Sequence, residues 1–216
     1  MSEPQQETVP APRKERRDPR GEKRRRRILK SLHDCILDKG YTRTTLLDIA
    51  QGAEMTPSHL LYYFNGKEDL LGQYFENVSI QFMKQLDDLG QLDTLGQIHG
   101  LTDFWFKGEA SSRKEIGFML ECFGAAVNEE VLRGTKAEFD MRCKAFLSEI
   151  FASSPGNFMG NAKASAELSY ATMIGLRSAV YFDDDVDLED AYGLFLSSML
   201  RMCGLHKQPY TLDPIR

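Results

Sequence analysis

The sequence predicts an all-α protein of about nine helices. Apolar residues recur at the three- and four-residue spacing of a helix along most of the chain, and capping residues, glycine or proline separate the periodic segments. We find no strand-like alternation and no internal repeat. With 216 residues, the chain is long enough for a small N-terminal domain and a larger C-terminal one.

Two helices are predicted first. Apolar residues at helical spacing indicate a helix from about Glu22 to Lys39, and Gly40 provides the left-handed residue that commonly ends a helix. A second helix begins at Thr45, whose hydroxyl can accept a hydrogen bond from the first turn. Asp48, three residues later, completes a capping-box pair.

A third, short helix follows. Thr56 is its expected N-cap and Pro57 its first helical residue, positions that suit both residue types. Leu60 and Phe64 lie four residues apart, so they fall on one face and should anchor this helix on the first two. We expect the helix to end at 65–66.

Longer helices are predicted for the remainder of the chain, near 67–89, 94–107, 112–128, 130–152, 161–182 and 187–204. The expected organisation is therefore a disordered basic tail at 1–20, a three-helix domain at 21–68 and a larger helical domain at 69–216. The tail contains four prolines and few large apolar residues, so it cannot bury enough surface to offset its ordering entropy.

Charge is distributed unevenly along the chain. Residues 1–70 hold 14 Lys/Arg and 11 Asp/Glu, whereas the remaining residues hold 13 and 21. The segment 13–27 alone has ten basic and three acidic residues. This asymmetry favours a protein that meets a polyanion through one face, while its acidic body repels wrong docking. For the tail itself, a minor-groove arm and a solubilising end are equally compatible with the composition.

Several functional classes lack their sequence signatures. No run of 18 apolar residues occurs and the N-terminus has no secretory signal, so we expect a cytoplasmic protein without a membrane span. Motifs of hydrolases, nucleotide-binding loops and zinc peptidases are absent. The histidines and the acidic stretch 183–187 lack metal-ligand spacing, and the four scattered cysteines suit core packing. We therefore expect neither a metal, nor a cofactor, nor catalysis.

The third helix carries the pattern of a DNA-reading element. A recognition helix presents its N-terminal end to the major groove, and the polar or small residues expected at that end are Thr56, Pro57, Ser58 and His59. Donors for phosphates are available around it, namely Thr44, Thr45, Tyr62, Tyr63 and Lys67. The alternative is a generic helical hairpin with a buried Tyr pair. Adjacent helical residues point about 100° apart, so at least one tyrosine must reach solvent or a ligand.

This stretch resembles the N-terminal domain of the TetR family of bacterial transcriptional regulators. The matching residues are Gly40-Tyr41, Thr44-Thr45, Asp48-Ile49-Ala50, Ala53, Met55-Thr56, Leu60, Tyr62-Tyr63-Phe64 and Lys67-Glu68-Asp69-Leu70-Leu71. The resemblance implies phosphate contacts by Thr45, Tyr63 and Lys67 and base contacts by 57–59. It also implies a homodimer whose helical C-terminal domain binds a small-molecule effector. Two residues depart from the family pattern: Glu54 replaces a turn glycine, which suggests a turn that tolerates a side chain, and Leu61 replaces a phosphate-contacting tyrosine.

The C-terminal domain offers candidates for a ligand pocket. Aromatic and sulfur side chains concentrate there with few charges, which favours an apolar or amphipathic ligand. The candidate residues are Phe104, Trp105, Phe118, Met119, Cys122, Phe123, Met141 and the polar partner Arg177. Each could instead be a core residue.

The last two helices suit a dimer interface, because small residues allow close helix approach and leucines provide apolar surface. The alternative is packing within one subunit. Together these patterns predict a DNA-binding transcriptional regulator, a repressor released from a palindromic operator by a small lipophilic ligand. An all-α enzyme and a ligand-independent architectural DNA-binding protein are the alternatives.

Overall fold

The computed structural model describes residues 19–108, 111–156 and 160–205, which form nine α-helices and no strand. The helices are α1 (Pro19–Lys39), α2 (Leu46–Gly52), α3 (Pro57–Leu60), α4 (Lys67–Leu89), α5 (Thr94–Phe106), α6 (Arg113–Asn128), α7 (Glu130–Ser153), α8 (Ala162–Phe182) and α9 (Leu188–Met202). The all-α prediction is confirmed. None of these helices combines the length and the apolar character that crossing a membrane requires.

An N-terminal core joins α1, α2 and α3. Ile28, Leu32, Ile49, Leu60 and Phe64 are at most 1% exposed and form one cluster. The same cluster continues into the first turn of α4 and one face of α6. Helices α1, α2 and α3 are therefore packed directly on the C-terminal helices.

A second core lies among α4 to α9. Fully buried aromatic residues of α5, α7 and α9 form its centre, and α8 packs along α7 and against α9. The aliphatic and sulfur side chains between them complete an interior that burial stabilises by roughly 25 cal/mol per Å² of apolar surface.

Side-chain caps begin most of the helices, as the sequence predicts. Thr45 and Asp48 form the capping box of α2, and Thr56 accepts a hydrogen bond from the His59 N–H at the start of α3. Asp187 accepts from two N–H groups at the start of α9, which accounts for part of the acidic stretch 183–187. No group of side chains able to hold a metal ion occurs within the described ranges.

The helix boundaries differ from the prediction by more than two residues at two places. α1 begins at Pro19, three residues before Glu22, which suits the preference of proline for the first helical turn. α3 ends at Leu60 instead of near 65, because the N–H groups of Tyr62 and Tyr63 bond three residues back and tighten the chain into a turn. The predicted tail at 1–20 lies outside the described residues except for its last two.

Candidate nucleic-acid interface

The N-terminal tip of α3 faces solvent. Thr56, Ser58 and His59 are exposed and Pro57 is half-buried, whereas Leu60 beneath them is 0% exposed. The exposed and buried residues are separated in this way because the cap fixes the direction of the first turn. The apolar side of this four-residue helix therefore meets α1 and α2. The polar groups predicted to contact bases are thus presented together.

The tyrosine pair divides between solvent and protein. Tyr62 is 80% exposed, while Tyr63 is half-buried and its hydroxyl accepts a hydrogen bond from Arg24 Nη1 at 3.2 Å. The two rings meet edge to face at 5.1 Å, and the Tyr63 ring lies 5.5 Å from that of His59. The prediction that at least one tyrosine reaches solvent is confirmed.

Two arginines of α1, which the predicted interface did not contain, complete this surface. Arg24 and Arg25 line a cleft of about 550 Å³ together with His59, Tyr62 and Tyr63. Arg25 also donates to Gln73 Oε1 at 3.2 Å. The basic run 23–27 was the available signal. Because Ile28 faces the core, the helical positions of the residues before it indicate which arginines of this run lie beside α3.

Thr44 is placed differently from its prediction. It is 1% exposed, and its hydroxyl donates to the Gly40 carbonyl at 2.8 Å. A phosphate cannot reach a hydroxyl that is buried and already bonded, so the structure corrects the prediction of a Thr44 phosphate contact. Thr44 instead closes the loop between α1 and α2.

Lys67 also serves this loop. Its ammonium donates to the carbonyl of Tyr41 at 3.0 Å and of Thr44 at 3.2 Å, and it lies 4.2 Å from the centre of the Tyr41 ring. These contacts tie the start of α4 to the α1–α2 loop. The predicted role of Lys67 as a free phosphate donor is therefore not supported, since its donors are directed into the protein.

Thr45 is exposed, but its hydroxyl belongs to the cap of α2. It lies 2.6 Å from Asp48 Oδ2, and Lys39 Nζ lies 2.6 Å from Asp48 Oδ1. Hydrogen bonds from Lys39 and then from Thr45 lower the pKa of Asp48 to about 2. Lys39 thereby neutralises a carboxylate at the helix end where a phosphate would otherwise be favoured.

Glu54 occupies the turn between α2 and α3 with a φ of +55°. This is the left-handed region, so the turn does not tolerate a side chain without strain, and the expectation from the sequence is wrong. Its carboxylate pairs with Arg27 of α1 across the exposed surface. The ion pair engages one arginine of the basic run.

We expect the ranking of glycine and alanine at this position to be the reverse of the usual one. Glu54→Gly should be more stable than Glu54→Ala by about 1 kcal/mol, because only glycine adopts a positive φ without a Cβ clash. Urea unfolding of both variants measures the difference. The matched pair Gln51→Gly and Gln51→Ala, at an exposed site of α2, should show alanine as the more stable. The same order of stability for the glycine and alanine variants at both sites would contradict a strained turn at Glu54.

The helices that carry this surface lie in a segment that is similar to a known protein family. Residues 28–74, from α1 into α4, match the model of bacterial regulatory proteins of the tetR family. The match assigns this segment to the TetR family of bacterial regulatory proteins, and the exposed tip of α3 lies within it.

Solved structures share the fold of this chain. A TetR transcription regulator from Haloarcula marismortui is 15% identical, with a TM-score of 0.73 over 85% of this chain and 97% of that one. A transcriptional regulator from Saccharomonospora viridis, solved in complex with choline, is 19% identical, with a TM-score of 0.74 over 83% and 96%. The fatty acid degradation regulator FadR from Bacillus halodurans is 17% identical, with a TM-score of 0.67 over 90% and 100%. No curated protein matches the chain.

The predicted ligand residues do not share one pocket. Phe118 and Cys122 belong to the N-terminal core, where Phe118 packs on His33 of α1. Met141 is 62% exposed, and the Phe123 ring lies 4.2 Å from Lys136 Nζ. α6 lies between the two cores, so residues on its different faces enter different clusters. The prediction that these four residues line a single pocket is therefore wrong.

The other four predicted ligand residues lie around the C-terminal core. Trp105 contacts Phe104, with ring centres 4.9 Å apart, and Arg177 donates to the Trp105 carbonyl. Met119 packs against the same cluster. Arg177 is 3% exposed, and this burial lowers its pKa to about 10. The cavity beside Trp105, lined also by Tyr170 and Phe195, measures about 10 Å³, which is hardly space for one water molecule.

One face of α8 and α9 remains exposed and apolar. Leu168, Ala171 and Gly175 lie on this face of α8 at three- and four-residue spacing, and Leu194 lies on that of α9. A Cβ added at Gly175 would meet no atom within 4 Å. Ala166, Met173 and Met199 of the same two helices are buried in the core of the subunit and are not part of this face.

Proposed function

We propose that this regulator is a homodimeric repressor that binds a palindromic operator and is released by a small, lipophilic ligand. The observation that carries the proposal is the exposed tip of α3, where Thr56, Ser58 and His59 stand together next to Tyr62 and Arg24. Polar side chains on a helix tip can form hydrogen bonds with base edges in the major groove, and the adjacent arginine and tyrosine can contact phosphates.

Dimerisation is proposed through α8 and α9. Gly175 lies with Leu168 and Ala171 on the exposed apolar face of α8, and a Cβ added at Gly175 would meet no atom of its own subunit within 4 Å. This face therefore combines apolar surface with room for a second copy to approach closely. Four helices, two from each subunit, would then form a bundle and hold two α3 tips for successive major grooves.

The effector is proposed to enter the C-terminal core beside Trp105 and Arg177. Aromatic walls and one buried cation suit a lipophilic molecule that carries an acidic or polar end. The small cavity has to widen on binding, which would move the helices around it and shift the population of DNA-binding geometries. Among solved structures of this fold, one contains choline and another is a regulator of fatty acid degradation.

The roles of base and phosphate contacts can be tested by comparing two variants. His59→Ala should change the preference for one base position by about 1–3 kcal/mol. Arg24→Ala should instead lower the affinity for all duplexes alike and reduce the slope of log affinity against log salt concentration by about one. Fluorescence anisotropy with a selected duplex and a scrambled duplex, over a salt series, measures both effects. Equal losses on both duplexes for His59→Ala would contradict base contact by the α3 tip.

A further inference from the structure

A cleft lies where the DNA-binding helices meet the C-terminal domain, apart from the core around Trp105. It measures about 590 Å³, and one wall is the loop after α1 with Tyr41 and Thr42. The other walls are one face of α6 and the end of α8 with Tyr181 and Phe182. This volume is in the range of small-molecule sites, which often occur at domain junctions.

The lining is aromatic and acidic. Tyr41, Tyr181 and Phe182 contribute rings, and Glu121 and Glu129 contribute carboxylates. In the part of the chain that the structure describes, no lysine or arginine lines the cleft, and neither carboxylate has an ion-pair partner. Aromatic faces and carboxylates together attract an organic cation.

Small residues of α6 create the space. A Cβ at Gly117 would lie 2.6 Å from the Tyr181 ring, so glycine allows that ring to pack directly on the helix. A Cβ at Gly124 would meet nothing within 4 Å. Since Gly124 also lines the cleft, a larger side chain there would project into open volume without a clash.

Cationic groups already lie beside two of these rings. Lys67 Nζ is 4.2 Å from the centre of the Tyr41 ring, and the Arg113 guanidinium carbon is 6.0 Å from that of Tyr181. Lys67 is held by two backbone carbonyls, and Arg113 by the Tyr181 carbonyl and Asp184. Both cations are thus engaged by other acceptors, while Glu121 and Glu129 remain the charges of the cleft.

We propose that this junction cleft is a binding site for a small organic cation, such as an aromatic or quaternary amine. Glu121 is the main charge partner, Glu129 the second, and the rings of Tyr41, Tyr181 and Phe182 enclose the cation. The site is separate from the lipophilic effector site in the C-terminal core.

The cleft is placed to act on DNA binding. Glu121 Oε2 accepts a hydrogen bond from the Tyr41 N–H at 3.0 Å, and this bond joins α6 to the loop that leads into α2. A cation that draws the Glu121 carboxylate away weakens this hydrogen bond, so the DNA-binding helices move more freely relative to the C-terminal domain. This second step rests on the proposed function, whereas binding in the cleft does not.

Calorimetric titration of the full chain with benzyltrimethylammonium tests the site. We expect saturable binding that benzyl alcohol, a neutral analogue, does not show. Glu121→Gln keeps an acceptor for the Tyr41 N–H and removes the charge, and it should weaken binding about tenfold. Gly124→Leu should abolish binding by filling the cleft. The controls are Glu130→Gln and Gly134→Leu, at exposed sites that do not line the cleft. A Cβ at Gly134 would also meet nothing within 4 Å.

The result that would overturn the site is no binding, or binding that Glu121→Gln and Gly124→Leu leave unchanged. The regulatory step is tested separately by adding the same cation to the complex with a selected duplex. A several-fold loss of affinity in wild type, absent in Gly124→Leu, supports it. Binding in the cleft with unchanged DNA affinity would overturn the regulatory step alone, and a chain that binds no duplex specifically would contradict the proposed function instead.

Discussion

Gly175→Arg should leave each subunit folded and lower operator affinity by about 100-fold or more, the gain that two linked binding modules commonly provide. The exposed face of α8 has open space at Gly175, and arginine is a better helix former than glycine, so an isolated subunit should be equally or more stable. In a dimer that closes on this face, however, two arginines related by the symmetry axis would be brought together and would separate the helices.

Sedimentation at micromolar concentration and anisotropy with the selected duplex measure the two effects. The matched control is Gly134→Arg, because Gly134 also lies on an exposed helix with open space at its Cβ but is on α7. A dimeric Gly175→Arg protein with wild-type operator affinity would place the interface elsewhere.

Phe64→Ala should lower the free energy of unfolding by about 3–5 kcal/mol and abolish specific DNA binding. Phe64 is 1% exposed and packs with Leu60 under the α3 tip, so its loss leaves a cavity between the three N-terminal helices. Losses of this size are a large fraction of the stability of a typical domain.

The nearby residue Tyr62 provides the control for Phe64→Ala. Tyr62 is two residues away and 80% exposed, so Tyr62→Ala should change the free energy of unfolding by less than about 0.5 kcal/mol. Urea unfolding followed by circular dichroism separates the two variants. A cost for Phe64→Ala below 1 kcal/mol would mean that the α3 tip is not supported by this core.

Local features of the fold follow from the sequence because their causes are local. The capping box of Thr45 and Asp48 and the start of α3 at Thr56 and Pro57 depend on residues within one turn of each other. The exposure of the α3 tip follows in turn from the cap at Thr56 and from the burial of Leu60 on the opposite side of the same turn. These elements could therefore be predicted without coordinates.

The errors arise where a residue's role depends on distant parts of the chain. Lys67 is committed to carbonyls 23 and 26 residues earlier, and Thr44 is buried by the loop it closes. The ligand residues were grouped by composition, but α6 turns Phe118 toward one core while Met119 packs against the other. Composition gives no information on which side of a central helix meets which neighbour.

Selection of bound duplexes from a random library with the purified full-length protein is the most direct test that paired α3 tips contact bases. We predict enrichment of an inverted repeat whose half-site centres lie about 34–36 Å apart, one turn of DNA, and a changed consensus within each half-site for His59→Ala. Enrichment of a single half-site, of no sequence, or of the same consensus by wild type and His59→Ala would contradict base contact by paired α3 tips.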